Sequence, residues 1–217
     1  MQLPDDRAPG AEATFTVRAP GTGDLAEIAR LFVEAFAGHP IAVLSPRLRN
    51  RFIAAHIAEG LALVACDDAT GHAVGFTIAG RRSDLDRARR TFIYANVVQL
   101  AYHAMLPKGR GLRAGRGKSR SQHSSPRTEY ELRYIAVTSM ARGRGVGSAL
   151  LEALEAGALG NRPYYAWVHT ERPAALQFYS QHGFGEEYQV DGHLRLLKIP
   201  PIRSVTPGSE PSRPYRQ

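Results

Sequence analysis

With 217 residues, 43% of them hydrophobic, the chain suffices for one sizeable core and is short for two domains. It has no run of about 18 apolar residues to span a membrane. Its single cysteine, Cys66, allows neither an internal disulfide nor a cysteine-based metal cage, which points to a cytoplasmic protein without a metal. The net charge of +8 is confined: Lys108, Arg110, Arg113, Arg116, Lys118, Arg120 and Arg127 lie between Pro107 and Thr128 with no acid among them, and without these seven the chain carries +1.

Residues 1–13 are acidic, contain Gly and Pro, lack the layout of a secretory signal and read as a disordered N-terminus. Thr14–Arg18 alternates as a first strand. Asp24, with Glu27 three residues on, has the capping-box spacing, and Leu25, Ile28, Leu31, Phe32, Ala35 and Phe36 follow as one apolar stripe of a helix. Pro46 suits the first turn of a second helix whose core side is Leu48, Phe52, Ile53 and Ile57, with Gly60 as its stop. The apolar runs Leu61–Cys66 and Ala73–Ala79, joined through Asp67–Gly71, predict a hairpin, with Cys66 a small core residue.

Residues 83–106 read as a helical insertion, its stripe made by Ile93, Val97, Leu100 and Ala104 and widened by Phe92, Ala95 and Tyr102. The Gly/Ser/Arg-rich stretch 107–128 holds too few large apolar residues to fold alone and reads as a flexible, solvated loop. Any ligand it holds is expected to carry phosphate, as in nucleic acid or a cofactor. Beyond it come a strand (Tyr130–Val137), a Gly-rich turn, a helix (Ser148–Ala158), a strand (Tyr164–Thr170), a helix from Pro173 to Gln181 ended by Gly183, and two strands, Glu186–Val190 and His193–Ile199. Residues 200–217 are proline-rich, without periodicity, and read as a disordered tail. The folded part, 14–199, is thus a mixed α/β domain.

The most informative stretch runs from Glu131 to Ser148, where an apolar strand enters Arg142-Gly-Arg-Gly-Val-Gly147 and a helix follows at once. Glycines let the backbone approach a ligand, and the first amides of a helix lack internal partners, so this turn suits an anion such as a pyrophosphate. Arg142 and Arg144 add cations. Glycines at 143, 145 and 147 do not match the dinucleotide-binding spacing, and the P-loop lysine with its Ser/Thr partner is missing.

Arg142–Gly147 resembles the Gln/Arg-x-x-Gly-x-Gly/Ala signature of the GNAT acyltransferases. Ala175-Leu-Gln-Phe-Tyr-Ser-Gln-His-Gly-Phe184 resembles a second feature of that family, Ala-x-x-x-Tyr-x-x-x-Gly-Phe, at the family's separation. The likeness extends weakly over Thr14 to Ile199, and the helical insertion is loosely similar to puromycin N-acetyltransferase-like members. It implies a GNAT fold: a mostly antiparallel sheet of six to seven strands, flanked by helices and split between the fourth and fifth strands. It implies acetyl-CoA, or a close relative, as acyl donor. The amides of Arg142, Gly143, Arg144, Gly145, Val146, Gly147 and Ser148 would hold its pyrophosphate, and the backbone of Ile135, Ala136 and Val137 its pantetheine arm. An amide near Val137 would stabilise an oxyanion.

For the direct transfer that this family performs, the resemblance puts Tyr179 at the acid position and Glu131 at a base position. His169, at the end of the neighbouring strand, is a second candidate base. The chain departs from the pattern at Ser139, where proline is common, and at Arg172, where many members have an asparagine that contacts the cofactor. The expectation is an N-acetyltransferase acting on a small-molecule primary amine. Alternatives are a protein amine or aminoacyl-tRNA as acceptor, with the basic loop as support, and a non-catalytic acyl-CoA-binding module. Many members of the family form dimers, which leaves a homodimer open.

Overall fold

The computed structural model describes residues 14–105, 128–160 and 162–200. The chain termini expected to be disordered and nearly all of the basic loop 107–128 lie outside the described residues. Seven strands form one sheet in the order β1-β2-β3-β4-β5-β7-β6. They are β1 (Phe15–Arg18), β2 (Leu61–Asp67), β3 (Ala73–Arg81), β4 (Tyr130–Val137), β5 (Tyr164–His169), β6 (Gly185–Val190) and β7 (His193–Lys198). Every neighbouring pair is antiparallel except β4–β5, which is parallel.

Two layers of helix cover the sheet. On one face pack α1 (Leu25–Ala35), α2 (Pro46–Glu59) and α3 (Arg82–Ala95), with α4 (Val97–Met105) continuing from α3. Their buried residues Ile28, Phe32, Phe52, Ile53, Leu85 and Phe92 meet Phe76, Ile78, Tyr134 and Ala136 of the sheet. On the other face, α5 (Val146–Leu154), closed by a π turn at Glu155–Leu159, and α6 (Pro173–Gln181) bury Leu151, Leu154 and Tyr179 against Leu132, Tyr164, Ala166, Val168, Leu194 and Leu196. The hairpin β2–β3 forms as expected; Asp67 Oδ1 accepts from the amides of Ala69 and Thr70 and tightens its turn. Cys66 is buried.

Three local expectations differ. Asp24 does not cap α1: its carboxylate takes the guanidinium of Arg18 at 2.6 and 2.8 Å and the amide of Gly21 at 2.6 Å. Glu27 is not the reciprocal partner either, since it reaches to the amide of Ala73 and to His72. The insertion is broken at Asn96, whose side chain donates to the carbonyl of Phe92 and accepts from Arg51. Of the expected stripe, Leu100 packs against the core and Ile93 and Val97 are exposed, while Phe92 joins Leu85 and Ala88 on the buried side of α3. Gly60 stops α2 without a left-handed conformation; a Cβ there would lie 2.7 Å from the carbonyl of His56 and 2.8 Å from that of Ala79, so close backbone approach requires glycine.

Candidate active site

The sheet opens where its one parallel pair ends. β4 and β5 pair only at Tyr130–Tyr164, Glu131–Tyr165 and Leu132–Ala166. From there β4 continues to Val137 against β3 alone, and β5 to His169 against β7 alone. The cause is in β4: the register with β3 passes from Leu132 opposite Ala79 to Tyr134 opposite Ile78, leaving Arg133 as an extra residue. Such a bulge bends a strand and increases its twist. It also puts Arg133 and Tyr134 on the same face, Arg133 against Asp86 of α3 and Tyr134 against Phe32 and Phe36 of α1. In an antiparallel ladder alternate residues turn their N–H and C=O away from the partner. Groups within Arg133–Val137, which includes Ile135, Ala136 and Val137, therefore point into the gap.

A loop closes the open end on the β4 side. Ala141 and Val146, 2% and 1% exposed, anchor it, and Arg142, Gly143, Arg144 and Gly145 between them are exposed. Gly143 and Gly145 have φ of 75° and 79°, a conformation that L side chains rarely adopt. Gly145 is the N-cap of α5 and no side chain caps that helix, whose first internal bond runs from Ala149 N to Gly145 O at 2.9 Å. The amides of Val146, Gly147 and Ser148 are thereby left for an anion, at the positive end of the helix. Nε of Arg142 donates to the carbonyl of Val137 at 3.4 Å, which lays that side chain back along β4. The amide of Ser139 donates to Glu34 of α1 at 3.3 Å and holds the exit of β4 in place. An acyl-CoA pyrophosphate fits this loop, and a pantetheine arm fits the unpaired strand edge.

Tyr179 is 7% exposed, and its ring lies 4.9 Å from that of Phe184 and 5.4 Å from that of Phe178. Its hydroxyl has no hydrogen-bond partner among the described residues, and burial raises its pKa well above the ordinary tyrosine value. Phe178, the residue before it, sits against Gly147: a Cβ on Gly147 would lie 3.0 Å from the ring edge. The structure therefore brings the phosphate loop, the edge of β4 and the Tyr179 turn of α6 together.

The two candidate bases are not together. Glu131 lies at the closed end, where the strands still pair, and is 8% exposed. Arg133 approaches both its oxygens, at 2.8 and 2.9 Å, and Tyr165 donates to it at 3.1 Å. His169 lies four residues beyond Tyr165 on β5, roughly 13 Å further along the strand. Its side chain is 40% exposed; Nδ1 accepts the amide of Glu171 at 3.3 Å, with the Glu171 carboxylate 3.8 Å away. Arg172, at the N-cap of α6, does not extend to the phosphate loop: its Nη1 donates to the carbonyl of Ala35 at the end of α1, at 3.3 Å.

Sequence reading missed the partners of these groups. Arg133 stands two residues from Glu131, a same-face spacing on a strand that signals an ion pair. The ties of Glu34 to Ser139 and of His182 to Ser148 join positions 105 and 34 apart in the sequence and carry no local signal. Among the described residues there is no cluster suited to a metal and no helix long and apolar enough to cross a membrane.

Comparisons with known proteins bear on the fold and the family. An uncharacterized N-acetyltransferase of Methanocaldococcus jannaschii is 41% identical over 70 residues, 31% of this chain and 31% of that protein, so the match spans about a third of the relative's length. The crystal structure of SsHAT superimposes with a TM-score of 0.68 at 18% identity, covering 85% of this chain and 98% of that one. A Corynebacterium glutamicum structure described as histone acetyltransferase HPA2 and related acetyltransferase gives a TM-score of 0.54 at 25% identity, covering 88% and 99%. Residues 58–186 match the family model described as an acetyltransferase (GNAT) domain, and the chain belongs to that family.

Proposed function

We propose that this protein is an N-acetyltransferase that moves an acetyl group from acetyl-CoA to a primary amine of a small molecule, by direct transfer with both substrates bound. The observation that carries the reading is the coincidence of an unpaired β4 edge with an uncapped helix start immediately after it. When bound, acetyl-CoA supplies an activated acyl carbon. The amides of Arg144 to Ser148 hold its phosphates, and the edge of β4 from Ile135 to Val137 takes its arm as an added strand.

Tyr179 is the proton donor to the departing thiolate: it is buried, kept protonated by its surroundings, and its hydroxyl is uncommitted. For the base, the geometry favours His169 over Glu131. Both Glu131 oxygens are engaged by Arg133 and Tyr165 away from the open end. His169 stands at that end with a partly exposed ring; to act as base through Nε2, its Nδ1 exchanges the Glu171 amide for a proton that faces the Glu171 carboxylate, 3.8 Å away. A small-molecule acceptor accords with the near-neutral folded body; a polymeric acceptor would draw on the basic loop.

The test is thiol release from acetyl-CoA across a panel of amines, with His169→Gln and Glu131→Gln measured over pH. Loss of the acid limb of the rate profile in His169→Gln supports the assignment. An unchanged profile there, with the limb lost in Glu131→Gln, moves the base to Glu131.

A further inference from the structure

We propose that the corner where α3 meets α4 docks on an anionic lipid surface, with Ile93, Tyr94, Val97, Val98 and Tyr102 resting in the headgroup layer. None of these residues belongs to the split between β4 and β5, so the surface stands apart from the acetyltransferase site.

Among the described residues eight large apolar side chains are well exposed, and five of them fall between Ile93 and Tyr102. The other three, Val43, Met140 and Ile199, are scattered singly, which is ordinary for a protein surface. Tyr94 and Val98 are 77% and 75% exposed. A helical stretch from Ile93 to Tyr102 extends for about 15 Å at most, so the five side chains form one patch. The fold holds that patch outward. Asn96 is 2% exposed, donates to the carbonyl of Phe92 and accepts from Arg51. Phe92 and Leu100 take the inward positions against the core. A contiguous apolar patch kept in water marks an interaction surface.

Charge names what covers it. From Arg87 to Thr128 the sequence contains no Asp or Glu. Arg89 and Arg90, both exposed, stand about one turn before the patch, and the seven Lys and Arg from Lys108 to Arg127 follow it in the chain. A second copy seated patch to patch brings two such positive sets together, and their repulsion opposes it. RNA answers the charge but gains nothing from Ile93, Val97 and Val98, because bases stack on aromatic faces.

An anionic bilayer answers both. Its phosphates meet the cations, and the aliphatic side chains leave water together. Tyr94 and Tyr102, apolar in body and polar at the tip, suit the boundary between headgroups and acyl chains. With nine residues α4 is far too short to cross a bilayer, so it lies along the surface.

The experiment is co-sedimentation of the full chain with vesicles of phosphatidylcholine alone and of phosphatidylcholine with one quarter phosphatidylglycerol. The variants are Val97→Glu with Val98→Glu, Arg89→Gln with Arg90→Gln, and Val43→Ser as an exposed apolar control outside the patch. All of these side chains are exposed, so melting curves should match that of the intact protein. Partitioning onto the anionic vesicles is expected to exceed that onto the neutral ones by at least about tenfold. It should fall at least about tenfold in the valine variant, about fivefold or more in the arginine variant, and stay within about twofold in Val43→Ser. Equal binding to both kinds of vesicle, or binding to neither, overturns the proposal. Binding that survives in the valine variant overturns it too, since charge alone then holds the protein. A dimer, or binding of polyuridylate, that the valine variant abolishes while vesicles stay unbound gives the patch to a second copy or to RNA instead.

Discussion

The hydroxyl of Ser148 donates to Nε2 of His182 across 2.9 Å, while Nδ1 of the same ring donates to the carbonyl of Phe178 at 2.7 Å. A neutral imidazole has one donor and one acceptor, so the Phe178 carbonyl selects the tautomer and leaves Nε2 to receive the serine. The pair ties the first turn of α5 to the end of α6. His182→Leu is expected to lower stability by about 1–2 kcal/mol in urea unfolding. His182→Gln, which keeps a donor and an acceptor, should recover at least half of that loss.

Two glycines of the loop resist substitution for different reasons. At Gly145 a Cβ meets nothing within 4 Å, but φ is 79°, so Gly145→Ala costs about 1 kcal/mol through backbone strain. At Gly147 the backbone is helical and the obstacle is the Phe178 ring, 3.0 Å from the added methyl. Trimming that ring should help one variant alone. Gly147→Ala is expected to regain stability when combined with Phe178→Leu, and Gly145→Ala is not, a difference that a double-mutant comparison of melting curves reads directly.

Tyr179 separates stability from activity. Its hydroxyl makes no hydrogen bond among the described residues, so Tyr179→Phe should change stability by less than about 0.5 kcal/mol. If the hydroxyl protonates the leaving thiolate, kcat should fall by about 10²–10⁴. Equal activity in the two proteins removes Tyr179 from the chemistry.

Acid is expected to destabilise the fold through two histidines. His39 and His56 pack around Phe52 and Tyr134, and burial lowers both to a pKa of about 4. The unfolded chain binds their protons first, near pH 6.5, so the stability they contribute is complete above that value and is lost as pH falls toward 4. Each contributes a slope of about 1.4 kcal/mol per pH unit inside the window. Denaturation measured at several pH values should show this, and His56→Asn should reduce the slope by about half.

The glycine turn was readable because it rests on local chemistry, an apolar run and then glycines that the left-handed turns at 143 and 145 require, whereas the split between the fourth and fifth strands came only with the family resemblance. The bulge at Arg133 was not readable: it shifts the alternation by one residue, but β4 packs apolar side chains on both faces, so neither phase stands out. The stripe of the insertion held at Phe92 and Leu100 and failed at Ile93 and Val97, on either side of Asn96. One buried side chain bound to Phe92 and Arg51 resets the helix direction, and a 3.6-residue period counted across it loses phase. Arg172 was legible as a departure from the family pattern, but its reach to Ala35 across 137 positions was not.

The central claim is that the split beside the uncapped start of α5 holds acyl-CoA. Calorimetric titration of acetyl-CoA into the intact protein and into Gly145→Glu tests it, with a melting curve to show that the variant is folded. The expected result is saturable binding, one molecule per chain, abolished in the folded variant. An intact protein that releases no heat, or a variant that binds as tightly, would contradict it.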